Sequence, residues 1–275
     1  MSGDDNKTIK ILFFGDMVGK PGRFAVRDFL AQHRAEYDFV IANVENASHG
    51  FGLTEKNYND LISYGIDAMT SGNHIWDKRE IFSYIPNAEK LVRPINYPKE
   101  TPGAGSRIFE CGEYKIAVLN VLGKVFINLV DFQWDMIVDE IKRLKEITPI
   151  VIVDFHGEAT AEKICFGKFC SEFGVSAFLG THTHVQTADE TILNETTGYI
   201  TDAGFCGAVE SVIGMDYKTS LTRFITGIPE RYEVAEGNEV QINAVEIDID
   251  VITGCARAIK RIFCSRNNEK EDESQ

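Results

Sequence analysis

The chain has 275 residues and a formal net charge of −14, with 44% hydrophobic and 25% charged residues. That length suits one large domain or two small ones, and the acidity opposes tracking of a nucleic-acid backbone. No apolar run approaches the ~20 residues that span a bilayer, and residues 1–7 lack the basic and apolar regions of a signal peptide. Six cysteines without C-x-x-C spacing read as reduced, mostly buried thiols, so a cytoplasmic protein away from the membrane is expected.

Residues 9–14 read as a strand that runs into Gly15-Asp16. A helix follows over residues 21–30, with Pro21 near its first position and apolar residues at helical spacing. A second strand, residues 39–44, runs into Glu45-Asn46, and Thr54 caps a second helix that ends near Tyr64-Gly65. Residues 68–70 form a short strand that ends in Ser71-Gly72-Asn73-His74, and a third helix is expected over residues 78–85. A β-hairpin covers residues 107–111 and 114–119 about Gly112-Glu113. Then come a helix over residues 134–146, a strand over 150–155 that leads into His156-Gly157-Glu158, and a helix over 160–173.

A buried strand at residues 175–179 leads into Gly180-Thr181-His182-Thr183-His184-Val185. Residues 205–228 are an insertion to which pattern assigns no structure, and residues 240–251 and 256–263 form a second hairpin about Thr253-Gly254. Interleaved strands and helices predict an α/β fold, with two mixed sheets packed face to face under outer helices. One domain over residues 8–264 is expected, followed by a disordered acidic tail at 265–275.

The pair His182 and His184 carries the most information. On an extended backbone, residues i and i+2 point the same way, so both imidazoles can converge on one locus. Imidazole is a common ligand of transition metals. Taken alone, such a pair is ordinarily two hydrogen-bonded loop histidines. Its company changes that reading, because ligands of open α/β sheets bind beyond the carboxyl ends of the strands. Five such ends bring together Asp16, Glu45, Asn46, Asn73, His74, His156, His182 and His184, with four of the six histidines of the chain among them.

Other features carry less. Gly15-Asp16-Met17-Val18-Gly19-Lys20-Pro21 looks like a phosphate-binding loop, but it is one residue short between the glycines and has proline where Ser or Thr should hold magnesium. Cys206 reads as a structural thiol. His33 reads as a solvated helix-end residue and His49, near Glu45-Asn46, as a solvated loop residue, with substrate contact as its other reading. Lys20 and Arg23 are the only cations near the proposed site along the chain; solvated helix-start positions are expected for them, with help to a single phosphate as the other reading.

The blocks Asp16, Glu45-Asn46, Gly72-Asn73-His74, His156 and His182-Thr183-His184 resemble, in that order, the ligand blocks of calcineurin-like metallophosphoesterases. More closely the chain is similar to the bacterial branch of YmdB-like phosphodiesterases, through Gly15-Asp16-Met17-Val18-Gly19-Lys20-Pro21-Gly22, Asn43-Val44-Glu45-Asn46-Ala47, Ser71-Gly72-Asn73-His74-Ile75-Trp76-Asp77 and residues 180–189. Thr201-Asp202-Ala203-Gly204 and Ser211-Val212-Ile213-Gly214 look similar too. Val18 stands where the wider superfamily has histidine, and Glu45 where it has a bridging aspartate; both departures resemble the YmdB-like branch, which puts Asn46 in the vacant ligand position.

The resemblance implies a four-layer αββα sandwich and two transition-metal ions, manganese or iron foremost and zinc as an alternative. Asp16, Glu45, Asn46 and His184 would hold one ion. Glu45, Asn73, His156 and His182 would hold the other, with Glu45 bridging, and His74 would act as catalytic acid. The implied activity is hydrolysis of small phosphodiesters, 2′,3′- or 3′,5′-cyclic nucleotides, by in-line attack of a metal-bridging hydroxide. Alternatives are a phosphomonoesterase on the same site or a non-catalytic nucleotide-sensing regulatory protein. The expected partner is a small phosphodiester, with no long nucleic acid and no membrane; a homo-oligomer is left open.

Overall fold

Alternate residues of the first strand, β1 (Thr8–Phe14), separate into two cores. Leu12 and Phe14 pack with Val26 and Phe29 of helix α1 (Gly19–His33), whereas Ile9, Ile11 and Phe13 face a second cluster between the sheets. The computed structural model describes residues 7–127 and 134–267.

The first sheet joins β1 to β2 (Asp16–Met17), β3 (Phe39–Asn43), β4 (Ala68–Thr70), β11 (Phe205–Ala208), β12 (Glu239–Asp250) and β13 (Ala256–Asn267). Its order is β2-β11-β12-β1-β3-β4, with β13 along the other edge of β12, and β1, β3 and β4 run parallel. The second sheet has the order β5 (Ser106–Cys111), β6 (Tyr114–Leu122), β7 (Val151–His156), β8 (Ala177–Thr181), β10 (Thr197–Ile200) and β9 (Thr191–Leu193). Strands β6, β7, β8 and β10 are parallel, and their continuous apolar runs reflect burial on both faces.

Ile116, Val118, Ile152 and Leu179 of the second sheet meet Ile11, Phe13, Val245 and Ile247 of the first. The opposite face of the second sheet, with Leu119, Val153, Phe155 and Phe178, is covered by helices α4 (Trp134–Lys145) and α5 (Thr160–Glu172). Helix α2 (Glu55–Ser63) joins α1 on the outer face of the first sheet through Tyr58 and Leu61. The result is the expected sandwich of two sheets between two helical layers. No helix among the described residues is long and apolar enough to cross a membrane.

Local signals held in several places. The Thr54 side chain accepts the Asn57 N–H, and Gly65 closes α2 at a left-handed φ of 95°. The expected helix over 78–85 is instead the four-residue α3 (Ile81–Tyr84), preceded by a 3-10 turn (Asn73–Asp77) and followed by another (Ile85–Asn87). Pro86 has no N–H with which to extend the helix. The insertion after residue 205 contains β11 and helix α6 (Tyr217–Thr226), which starts at an Asp216 cap on Thr219 and ends at Gly227. Strand β13 runs to Asn267, so residues 265–267 are paired strand rather than tail. Residues 268–275 lie outside the described residues.

Phe13 is fully buried between the sheets. Phe13→Ala should destabilise the chain by about 3–5 kcal/mol, read as a lower denaturant midpoint in equilibrium unfolding.

Candidate metal centre

The carboxyl ends of the parallel strands in both sheets open on the same place. Asp16 follows β1, Glu45 and Asn46 follow β3, and Asn73 and His74 follow β4. From the second sheet come His156, the last residue of β7, and His182 and His184 after β8. Glu45, His156 and His182 have ligand atoms that lie within 4.8 Å of one another. His156 Nε2 is 2.9 Å from both Glu45 Oε1 and His182 Nδ1. On the other side, His184 Nε2 lies 3.8 Å from Asp16 Oδ1. Gly72 keeps the space clear: a Cβ there would collide with Glu45 Oε2 and His156 Nε2.

The two histidines after β8 do not sit on extended backbone. His182 has φ 103° and His184 φ 64°. The turn is imposed from outside: the His182 N–H donates to Asp16 Oδ2 at 3.0 Å, and the Thr183 N–H and hydroxyl donate to Asp202 Oδ2 at 3.0 and 2.7 Å. The i, i+2 spacing therefore separates the rings, sending His182 to Glu45 and His156 and His184 to Asp16.

Each imidazole is oriented by its second nitrogen. The Thr181 hydroxyl donates to Asp154 Oδ1 at 2.7 Å, so it accepts from His156 Nδ1 at 2.9 Å and leaves Nε2 facing the cluster. His184 Nδ1 donates to the Ile213 carbonyl at 2.8 Å, and His182 Nε2 lies 3.1 Å from Glu158 Oε2. Asn43 donates to Asp154 Oδ2 at 2.9 Å and thereby links β3 to β7 across the two sheets.

The electrostatics ask for a cation. Asp16, Glu45 and Asp154 are essentially inaccessible to water. Burial pushes Asp16 above the usual carboxylate range and Asp154 up to about 6. Burial acts the same way on Glu45, but the His156 charge and hydrogen bond outweigh it and hold Glu45 low. His156 is raised, because Glu45 and Asp16 overcome the desolvation, while burial and then the His156 charge push His182 down to about 3.

Asp16 Oδ1, Asn46 Oδ1 and Asn73 Oδ1 are buried with no hydrogen-bond partner among the described residues. Buried acceptors are ordinarily satisfied, so three orphaned oxygens beside two imidazoles and a carboxylate fit divalent metal ions well.

A cavity of about 320 Å³ opens over the cluster. Glu45, Asn46, His74, His182 and His184 form one part of its wall, and the segment after Ser211 forms much of the rest. His74 Nδ1 is 2.9 Å from Asp77 Oδ2, its backbone N–H donates to Glu45 Oε2 at 2.9 Å, and its ring packs 4.8 Å from Phe51. Lys20 and Arg23 do not line the cavity: Lys20 lies over the Phe24 ring, and Arg23 donates to the Ala47 carbonyl. His49 is exposed on its loop, and His33 pairs with Glu36 at the end of α1. Cys206 is a buried thiol pushed up to about 12 by burial.

One contributor escaped the sequence reading. Lys163 Nζ lies 2.6 Å from Asp202 Oδ2, and both side chains are buried. Lys163 reads in sequence as an ordinary helix lysine, and Asp202 as a loop aspartate. Together they anchor Thr183 and hence both flanking histidines. Asp202→Ala leaves the Lys163 charge buried without its partner and should cost about 3–5 kcal/mol of stability, measured by urea unfolding, together with weaker metal retention.

The family model described as YmdB-like protein matches residues 12–262. A Bacillus subtilis (strain 168) protein named 2′,3′-cyclic-nucleotide 2′-phosphodiesterase is 44% identical over 257 residues, which covers 93% of this chain and 97% of the relative. Among solved structures, a hypothetical protein from Thermus thermophilus is 37% identical with a TM-score of 0.85, covering 94% of this chain and 99% of its own. A structure described as a novel phosphatase from Mycoplasma pneumoniae is 35% identical with a TM-score of 0.88, covering 95% of each chain. The chain belongs to the YmdB-like family.

Proposed function

We propose that this chain, a metallophosphoesterase by family, hydrolyses small phosphodiesters and above all 2′,3′-cyclic nucleotides. In this reading Asp16, Glu45, Asn46 and His184 hold one divalent ion, and Glu45, Asn73, His156 and His182 hold the other. The observation that carries it is the trio of orphaned buried oxygens on Asp16, Asn46 and Asn73 beside the Glu45–His156–His182 group. Mixed oxygen and imidazole donors suit manganese, iron or zinc better than calcium. The substrate is supported by the name of the B. subtilis relative and by the net charge of −14, which disfavours long RNA. Six unpaired thiols support a reducing compartment, the cytoplasm.

When bound, two divalent ions supply Lewis-acid activation of water and of the phosphoryl oxygens for an in-line displacement. The chain does the rest. Thr181 and the Ile213 carbonyl fix His156 and His184, Asp202 fixes the turn between His182 and His184, and Glu45 is held by the His74 N–H. His74 Nδ1 faces Asp77, which leaves Nε2 to deliver a proton to the departing alkoxide.

Elemental analysis after manganese-supplemented expression should find about two equivalents of metal per chain, and Glu45→Ala or His182→Ala should lose metal; unchanged content in both variants would refute the ligand set. His74→Ala should keep its metal and lose about 10²–10⁴-fold in kcat, and full activity at neutral pH would remove His74 from the reaction. A panel of cyclic mononucleotides, bis-p-nitrophenyl phosphate, p-nitrophenyl phosphate and RNA should be cleaved fastest at a cyclic nucleotide. Faster cleavage of long RNA, or of the monoester, would overturn the substrate assignment.

A further inference from the structure

We infer that the apolar part of the cavity is a nucleobase slot, built by the segment around α6, with the Ser220 hydroxyl as its polar contact. The inference rests on the phosphodiesterase reading above and says how such an enzyme tells a nucleotide from another phosphodiester.

Ser220 lies in the middle of α6, is 1% exposed, and lines the cavity. Its Oγ has no hydrogen-bond partner among the described residues. A serine in a helix can satisfy itself on the carbonyl four residues back, yet the Asp216 carbonyl here receives only the Ser220 backbone N–H. The hydroxyl is therefore held in an apolar wall with its capacity unused, as befits a group that meets a ligand.

The wall around it is shaped for a flat ring. Phe51 packs 4.8 Å from His74 and 6.2 Å from Tyr232, so an aromatic surface extends from the proposed acid into the apolar region. Tyr232 is fixed from behind by the Arg223 guanidinium, 3.9 Å from its ring centre. Phe224, one turn after Ser220, lines the same cavity while 80% exposed, and Ile213 lines it while 48% exposed. Large apolar side chains left open at a cavity mouth gain contact only when something covers them.

Bases stack on such surfaces with little regard for sequence, and a pre-set aromatic wall lowers the ordering cost of binding. The volume of about 320 Å³ is at the small end of the range for ligand sites and suits one nucleotide. A sugar phosphate or a phosphorylated peptide would use the donor wall and leave Phe224 and Ser220 unengaged.

Calorimetric titration of the manganese-loaded full chain with 3′-AMP and with base-free ribose 3-phosphate tests the slot. The nucleotide should bind about 5- to 100-fold more tightly. Ser220→Ala should shrink that preference about 3- to 10-fold, and Phe224→Ala, on an exposed side chain, should shrink it independently. Equal affinities for the two probes, or a preference unchanged in both variants, would overturn the slot. Hydrolysis assays keep the two readings apart. If 3′-AMP is preferred but no cyclic nucleotide is hydrolysed, the slot stands and the proposed reaction fails. If 2′,3′-cyclic AMP and base-free ribose 2,3-cyclic phosphate share one kcat/KM, the reaction stands and the slot fails.

Discussion

Burial of acid at the meeting point of two sheets is the constraint around which this molecule is arranged. Asp16, Glu45 and Asp154 are shut away from water within one locus, where isolated carboxylates would be far too costly to keep ionised. Asp154 is answered by protein alone, through Asn43 and Thr181. Asp16 and Glu45 are answered only in part, by His156 and by backbone N–H groups of His74 and His182. Asn46 and Asn73, which follow the neighbouring strands β3 and β4, each keep a buried side-chain oxygen with no hydrogen-bond partner among the described residues.

This burial of acid explains why so much of the polar interior is given to aim rather than to stability. The Lys163–Asp202 pair, buried in the second sheet's helical flank, reaches the site through Thr183 and forces two histidines into left-handed backbone. Thr181 holds the His156 tautomer, and the Ile213 carbonyl, from the segment after β11, holds His184. Ligand orientation is thus distributed over both sheets and the insertion.

Much of the fold was legible because strand alternation and apolar runs report burial directly. Leu12 and Phe14 against Ile11 and Phe13 show both faces of β1 covered, and the residues after each parallel strand mark the open end of the sheet. That Asp16, Glu45, Asn46, Asn73, His156, His182 and His184 stand at strand ends opening on one locus was readable for that reason. The conformation of His182 and His184 was not, since nothing in H-x-H spacing reveals that Asp16, from the far end of the chain, and Asp202 will bend it. Lys163 was hidden because a helical lysine ordinarily faces water. The expected helix over 78–85 shortened to the four-residue α3, because Pro86 allows only a 3-10 turn beyond it. The aromatic wall of Phe51 and Tyr232 joins residues separated by most of the chain, and no local pattern announces such a contact.

The proposed ligand set assigns Glu45 to both of two ions, with the remaining ligands drawn from both sheets. Electron paramagnetic resonance of the manganese-saturated chain tests it most directly. A bridged pair about 3.5–4 Å apart predicts an exchange-coupled dinuclear spectrum that collapses to an isolated-ion pattern in Glu45→Ala. An isolated, uncoupled manganese signal from the fully loaded native chain would contradict the account.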